Sequence, residues 1–352
     1  MAQRQVRRRM GRLLLTVCFS FFVLLAAALF ISGRADPLAT LPKSPPRSLP
    51  IDVFAEVIPS LGRLGSGKAT YGKLDWVGGL KLSSDAEAFG GFSGLVFLDE
   101  SRFLAISDRG TALSASLQRQ GGKPTGVLDG SMRSLPGIGP EMAQWRRDAE
   151  GLAMRDGKAC VSFEGDTRVV CYALEENKPV RIAERVPLDA SINAANRGNR
   201  GLEAIAAIPD TSPYGGGFAL LSEQPVNGEV LGWIARDGRS EAFRLPQSDG
   251  LMVSDAAFTA RGDLVILERN FSLLGGLVVQ IRRVKVKDFK PGIIKNADLL
   301  FRADLSDAID NMEGLDIQPQ PDGSSLISLI SDDNFNFIQN TLLLQFRLPA
   351  DR

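Results

Sequence analysis

The stretch that decides the fold reads DAEGLAM and spans residues 148–154. It places a carboxylate, Glu150, before a small residue and an alternating apolar run that is typical of a β-strand. The same pattern returns in four further stretches: FSGLVFL (92–98), LEAIAAI (202–208), SDAAFTA (254–260) and MEGLDIQ (312–318). The anchor residues, separated by 57, 53, 52 and 58 residues, are Ser93, Glu150, Glu203, Asp255 and Glu313. This period indicates a repeated supersecondary unit.

Each unit continues with a second apolar strand that ends in an acid. The second strands read FLAISDRG, ACVSFEGD, FALLSEQ, LVILERN and SLISLISDDN, and their terminal acids are Asp108, Glu164, Glu223, Glu268 and the pair Asp332–Asp333. Further β-rich segments fill the rest of each unit, so a unit of about 50 residues carries about four strands. The sequence therefore predicts an all-β protein, a β-propeller with five or six four-stranded blades.

The two ends of the chain are predicted to close the ring. The last strand, TLLLQFRL (341–348), ends the chain before the fifth unit is complete, whereas IDVFAEVI (51–58) and LDWVGGLKLSS (74–84) precede the first repeat. We expect these N-terminal strands to complete the last blade and to protect its edge. Short helical turns are expected only at PEMAQW (140–145) and ADLSDAIDN (303–311).

Equivalent residues of successive blades surround one axis in a propeller, so the recurring acids are predicted to meet at one mouth of the channel. Carboxylates gathered in this way repel one another unless cations or arginines neutralise them. The candidate catalytic residues are Glu150, Glu203, Asp255 and Glu313. The candidate metal ligands are Asp108, Glu268, Asp332 and Asp333. The candidate substrate-binding residues are Arg109, Arg147, Arg200 and Arg269.

A structural interpretation of the same acids competes with the functional one. Each acid could instead cap a turn or pair with an arginine of the next blade, which would join adjacent blades. This interpretation is favoured for Glu164 and Glu223, which lie in turns without an adjacent arginine. It is also favoured for Ser93, which breaks the acidic pattern.

The composition narrows the chemistry that such a mouth can perform. None of the 352 residues is a histidine, which excludes Ser-His-Asp catalysis and argues against zinc sites of the usual His/Cys type. Calcium, a hard cation that binds oxygen ligands, fits the carboxylates. The formal net charge is +0, and no part of the charge pattern beyond the N-terminus predicts a nucleic-acid partner.

The N-terminus is predicted to export the protein. Residues 1–35 join a basic stretch to an unbroken apolar run over residues 13–31, which is the order of a secretory signal peptide. The run is also long enough to span a bilayer, so a cleaved signal peptide and a retained membrane anchor are both open. Residues 36–50 are predicted to be a Pro-rich linker, and residues 51–352 the propeller domain. We expect a periplasmic monomer, either soluble or anchored in the inner membrane.

Two cysteines of the exported part agree with an oxidising compartment. Cys160 and Cys171 flank a sequence that folds into a hairpin about Gly165–Asp166. This hairpin places the two cysteines directly opposite each other, which predicts a structural disulfide. Two free buried thiols are the alternative.

The motifs FGGFSGL…SDRG, RDAEGLA, NRGLEAIA, SDAAF…ILERN and MEGLDI…LISDDNF…QNTLLLQFRL resemble the phytase-like β-propeller family, described as "esterase-like activity of phytase", of the exported bacterial type. The resemblance covers about residues 70 to 348. It implies hydrolysis of phosphoric or related small-molecule esters by the recurring Glu and Asp residues. The alternative function is a non-catalytic propeller of the cell envelope that binds a ligand or a partner protein.

Overall fold

β-Strands build most of the protein. The computed structural model describes residues 48–62, 69–139, 141–195, 201–272 and 275–350. Within these ranges the strands form five sheets, each of which is one blade of a propeller. The prediction of an all-β propeller is therefore confirmed, and of the two predicted blade numbers, five is the correct one.

Blades 1 and 2 follow each other in the chain, and each begins with its innermost strand. In order from the outer edge inward, blade 1 consists of β1 (Leu49–Pro50), β8 (Lys123–Ser134), β7 (Thr111–Gln120), β6 (Arg102–Ser107) and β5 (Phe92–Phe97). Blade 2 consists of β12 (Lys178–Val186), β11 (Arg168–Glu175), β10 (Lys158–Phe163) and β9 (Ala149–Arg155).

Blades 3 and 4 repeat this arrangement. In order from the innermost strand outward, blade 3 consists of β13 (Leu202–Ala207), β14 (Phe218–Ser222), β15 (Glu229–Arg236), β16 (Arg239–Pro246) and the short parallel strand β20 (Gly292–Ile293). Blade 4 consists of β17 (Met252–Phe258), β18 (Leu264–Ser272), β19 (Gly276–Val284) and β21 (Asp298–Asp304).

Blade 5 combines both ends of the chain, as the sequence predicts. Its strands, from the inside outward, are β22 (Asn311–Pro319), β23 (Ser325–Asp332), β24 (Thr341–Leu348), β4 (Leu74–Ser83) and β2 (Phe54–Ile58), and β3 (Thr70–Tyr71) pairs with β4. Phe346 of β24 is fully buried and packs edge-on against Trp76 of β4 and against Phe301 of blade 4. The closing strand is therefore held by its own blade and by its neighbour.

Some boundaries differ from the prediction. Leu49–Pro50, expected in the linker, pair with β8 of blade 1. The described helices are α1 (Gln144–Arg147), which overlaps the expected turn at 140–145, and α2 (Ala190–Ala195), which the sequence did not predict. The expected helical turn at 303–311 is wrong, because this stretch passes from β21 through turns into β22.

The signal peptide or membrane anchor predicted at residues 1–35 lies outside the described residues. Among the helices that are described, neither is long and apolar enough to cross a bilayer.

The five inner strands pack side by side around the axis, in the order β5, β9, β13, β17, β22 and back to β5. This packing explains the small residue after each anchor. A Cβ atom on Gly151 would lie 2.7 Å from the Ile205 nitrogen of the next inner strand, and one on Gly314 would lie 2.9 Å from the Leu95 nitrogen. Side chains at these positions must therefore be small, because the neighbouring backbone occupies the space.

The predicted disulfide is confirmed. Cys160 and Cys171 are directly paired across β10 and β11, with 3.9 Å between their Cα atoms, and they are bonded to each other. Both are buried. The bond joins two strands of one hairpin, so its role is structural.

The closing strand provides a first test of the fold. We expect Phe346→Ala to lower the free energy of unfolding by ~3–5 kcal/mol, because it leaves a cavity where β24 meets blade 4. Leu128→Ala on β8, where the side chain is 50% exposed, should cost less than ~1 kcal/mol. Urea unfolding of both variants checks this, and equal losses would contradict the proposed closure.

Candidate functional site

All five inner strands carry a β-bulge at the same register. The pairing with the second strand shifts at the bulge, where the inner strand has one extra residue. Bulges of this kind re-aim side chains and are frequent beside active sites. The bulged residues are Ser93, Glu150, Glu203, Ser254 and Glu313.

The predicted register of blade 4 is therefore wrong by one residue. Ser254, and not Asp255, is the bulged residue that corresponds to the glutamates. In the second strand, Arg269 pairs with Met252 as Asp332 pairs with Asn311, so Arg269 takes the position that acids hold in the other blades.

Two rows of equivalent residues thus meet at one mouth of the channel. The first row contains the bulged residues. The second contains the residues at the equivalent position of the second strands, at or near the strand end: Asp108, Glu164, Glu223, Arg269 and Asp332. We call the carboxylates of these two rows, together with Asp148, the acidic mouth. It brings together most of the predicted catalytic and metal-binding acids.

Burial and mutual repulsion raise the pKa values of these acids. Burial comes first for Glu150, and the charges of Glu203 and Asp148 add to it, so its pKa lies well above its usual range. The pKa of Glu203 is raised well above its usual range by burial and then by Glu223. Burial raises the pKa of Asp108 to about 6, although Arg109 opposes the shift. The pKa of Asp332 is also raised well above its usual range by burial and by Glu313.

One part of the acidic mouth has the geometry of a metal site. Asp148, Glu150 and Glu164 each offer a carboxylate oxygen, and these oxygens lie within 4.8 Å of one another. The hairpin of β9 and β10 brings the three residues together, because the Glu164 N–H donates to the Asp148 carbonyl at 3.0 Å. We call these residues the blade 2 triad. Three hard oxygen donors at this spacing can hold a cation such as calcium.

The sequence prediction did not include two members of this triad. It did not single out Asp148, and it favoured a structural role for Glu164. The sequence does hold a signal for both residues. Asp148 precedes Glu150 by two residues, and the predicted second strand of this unit ends at Glu164. Pairing the strand ends, rather than aligning the anchors alone, would have placed the three together.

Arg269 is the basic residue of the second row and lies within the acidic mouth. Its Nη2 donates to Glu313 Oε1 at 2.6 Å, and the Asn311 side-chain amide donates to the same oxygen at 2.7 Å. Glu203 and Glu223 also act on Arg269, and together with Glu313 they raise its pKa. Arg269 therefore lies among acids of blades 3 and 5 and fixes the Glu313 carboxylate.

Three predicted site residues have other contacts. Glu268 is fully buried inside blade 4, where Arg282 donates to both of its oxygens and Gln280 donates at 2.8 Å. Asp255 occupies the small-residue position and accepts the N–H of Leu315 in the next inner strand at 2.7 Å.

Asp333 accepts hydrogen bonds from the backbone of Gly91 and Phe335 at 3.0 Å and from the Thr341 hydroxyl. It therefore ties blade 5 to the start of blade 1. These contacts are structural, as is that of Ser93, whose hydroxyl donates to the Ala149 carbonyl at 2.5 Å.

The remaining predicted arginines differ in position. Arg109 is buried next to Asp108, with its guanidinium 3.3 Å from the centre of the Phe335 ring. Arg147 is buried at the end of α1, directly before the triad residue Asp148. Arg200 lies outside the described residues.

The fold and the mouth define a five-bladed propeller whose channel opens onto buried carboxylates. The family model described as "Phytase-like: Esterase-like activity of phytase" matches residues 87–335. The chain belongs to this phytase-like family.

The solved structures offer only distant similarities. One glucose dehydrogenase is 11% identical and covers 77% of this chain and 98% of its own, with a TM-score of 0.39. A second structure of a glucose dehydrogenase, also 11% identical, covers 72% and 96% with a TM-score of 0.39. The C-terminal WD40 domain of Sif2 is 11% identical and covers 78% and 65% with a TM-score of 0.31. Among the curated proteins, none matches the chain.

The raised pKa values make stability depend on pH in a defined direction. Acids such as Glu150, Glu203 and Asp108 hold protons more tightly when folded than when unfolded, so their contribution is fully present near pH 4 and is lost as pH rises through the folded values. Without divalent cations, we expect the melting temperature to fall from pH 5 to pH 8. A divalent cation bound by the blade 2 triad at 100 times its dissociation constant would add about 2.7 kcal/mol at pH 8. Differential scanning calorimetry checks both, and a melting temperature that rises with pH would contradict the account.

A substitution of Glu268 distinguishes a structural role in the interior of blade 4 from a role in the acidic mouth. Glu268→Gln should lower the free energy of unfolding by ~3 kcal/mol, because it leaves the buried Arg282 charge without its counter-charge. It should leave the calcium-induced rise in melting temperature unchanged. Glu184→Gln, whose partner Lys158 is at the surface, should cost less than ~1 kcal/mol. A Glu268→Gln variant that no longer responds to calcium would show that Glu268 is a ligand after all.

Proposed function

We propose that this protein is an exported phytase-like hydrolase that acts on phosphoric or related esters at the acidic mouth, with calcium as its cation. The observation that carries the proposal is the blade 2 triad, in which the oxygens of Asp148, Glu150 and Glu164 lie within 4.8 Å of one another. Membership of the phytase-like family supports ester hydrolysis as the reaction class.

The chemistry of the triad suits a bound hard divalent cation better than it suits water alone. Its donors are all carboxylate oxygens, which calcium prefers, and the chain has no histidine that would favour zinc. Repulsion within the acidic mouth contributes to the raised pKa of Glu150. A cation bound here would relieve that repulsion and lower the pKa again. When bound, calcium would supply charge neutralisation for an ester phosphate.

The chain's own residues can handle the protons of the reaction. Water attacks the phosphorus, the bond from phosphorus to the alcohol oxygen breaks, and the alcohol oxygen must gain a proton. Glu203 is buried and burial raises its pKa well above its usual range, so it keeps its proton to a higher pH than an exposed glutamate and can donate it to the leaving oxygen. A carboxylate of the triad can accept the proton that the water loses.

Arg269 can orient the ester. Its guanidinium lies at the mouth and is held by Glu313, which leaves its fork geometry fixed in place. A fixed guanidinium recognises phosphate oxygens through paired hydrogen bonds. Binding of the phosphate between Arg269 and the triad would align the ester with Glu203.

The proposed location is the periplasm, and the proposed assembly state is a monomer. The N-terminal order of a basic stretch and an apolar run supports export. The disulfide between Cys160 and Cys171 agrees with an oxidising compartment.

Turnover of a generic phosphoester tests the proposal. With added calcium, the purified protein should hydrolyse p-nitrophenyl phosphate, and a chelator should abolish the activity. Glu150→Gln should lower kcat/KM by ~10²-fold or more, because it removes a charged oxygen from the triad. Glu184→Gln, a surface acid of the same blade, is the matched control and should retain full activity.

Two results would overturn this proposal in different ways. Absence of turnover with any divalent cation, together with a calcium-induced rise in melting temperature, would support the non-catalytic binding propeller. Turnover that is insensitive to chelator and to Glu150→Gln would place the reaction away from the triad.

A further inference from the structure

The end of the channel opposite the acidic mouth holds a second cavity, of about 430 Å³. All five inner strands contribute to its wall near their C-terminal ends. The bulged residues lie near the start of the same strands, so the length of the inner strands separates the cavity from the acidic mouth. None of the acids of that mouth lines it.

Small apolar side chains create the space. Five alanines line the cavity: Ala153, Ala206, Ala207, Ala256 and Ala257. Larger apolar side chains, among them Met154, Phe258 and Ile317, complete the wall. A cavity of this volume, whose accessible lining is at least as polar as it is apolar, suits a small molecule that joins a polar group to an apolar body.

The charged residues of the wall are all acids. Asp99, Glu100 and Asp316 line the cavity, and no lysine or arginine does. Asp99 already pairs with Arg102. Burial raises the pKa of Asp316 to about 6, although the N–H groups of Phe97, at 2.9 Å, and of Ile317 donate to its carboxylate and oppose the shift.

Two neighbouring features add to the demand for a donor. The charge of Asp316 acts on Asp255, which is also buried and has no basic group acting on it. Gln318 directs its amide N–H to the Asp99 carbonyl, but its buried side-chain oxygen receives no hydrogen bond within the described residues. A buried acceptor without a donor, such as this Gln318 oxygen, is costly, and a ligand that donates would satisfy it.

We propose that this cavity binds a small organic ammonium ion with an apolar body. The ammonium group would donate to Asp316, and the apolar body would lie against the alanine-lined wall. Rotation of the Gln318 side chain would present its oxygen, which is buried, as a second acceptor. A metal ion suits the site less well, because among the described residues the carboxylates of Asp99, Glu100 and Asp316 do not come together as a close group of three ligands. A neutral ligand would leave the Asp316 charge uncompensated.

Calorimetric titration of the full chain with three probes of one shape tests this site. At pH 7.5, benzylammonium should bind at least ~10-fold more tightly than benzyl alcohol, and phenylacetate should not bind, because only the ammonium compensates the carboxylate. Asp316→Asn should weaken benzylammonium binding by ~10-fold or more. Asparagine keeps an acceptor for the Phe97 N–H, so this variant should fold. Ala257→Phe should block binding by filling the cavity.

Two control variants locate the site. Asp322→Asn, an exposed acid that pairs with Arg347, should leave benzylammonium binding unchanged. Glu150→Gln should also leave it unchanged, since Glu150 belongs to the opposite mouth. Where Ala257→Phe melts at a much lower temperature than the parent, Asp316→Asn alone decides the outcome.

Four results would overturn the proposal. They are no binding of benzylammonium, equal binding of benzyl alcohol, full affinity in Asp316→Asn, and loss of affinity in Glu150→Gln. The last would show that the ammonium ion binds at the acidic mouth instead.

Discussion

The burial of many carboxylates around Arg269 is the constraint on which the site depends. Arg269 pairs with Glu313 at 2.6 Å and acts on Glu203, Glu223 and Asp332. One guanidinium cannot neutralise so many charges. Burial first, and then repulsion between the carboxylates, raises the pKa values of Glu150, Glu203 and Asp332. The mouth is therefore a place where a proton or a cation is strongly favoured. Both proposed uses of the site, proton donation and calcium binding, follow from this excess of negative charge.

Two local features of the inner strands, a bulge and a small residue after it, crowd these carboxylates together. The bulge in each inner strand sets the bulged residues, Glu150 and its counterparts, at one register around the axis. The small residue that follows lets adjacent inner strands approach closely, since a Cβ on Gly151 would meet the Ile205 nitrogen at 2.7 Å. Blade 4 differs at the small-residue position, because Asp255 occupies it and accepts the N–H of Leu315. It strengthens the contact between blades 4 and 5 instead of contributing to the mouth.

The repeat made most of the fold predictable, because apolar periodicity depends on local residues. The propeller, the ring closure by both ends of the chain and the Cys160–Cys171 pair all follow from strand patterns. The site was less predictable, because side-chain type was used to align the blades. In blade 4 this alignment selected Glu268, which occupies the position of the buried Ser331 of blade 5. A buried carboxylate is stable at that position only because Arg282 and Gln280 donate hydrogen bonds to it. The pairing partners of each strand, which are not local, decide that register.

The two ends of the channel differ in what they demand. The acidic mouth gathers oxygen donors and suits a hard cation, whereas the far cavity combines an alanine-rich wall with the carboxylates of Asp99, Glu100 and Asp316. Anomalous diffraction from crystals grown with calcium tests most directly the proposal that calcium binds the blade 2 triad. The account predicts an anomalous peak about 2.3–2.6 Å from oxygens of Asp148, Glu150 and Glu164. A peak bound to Glu268 or Asp333 instead, or no peak at the acidic mouth at saturating calcium, would contradict it.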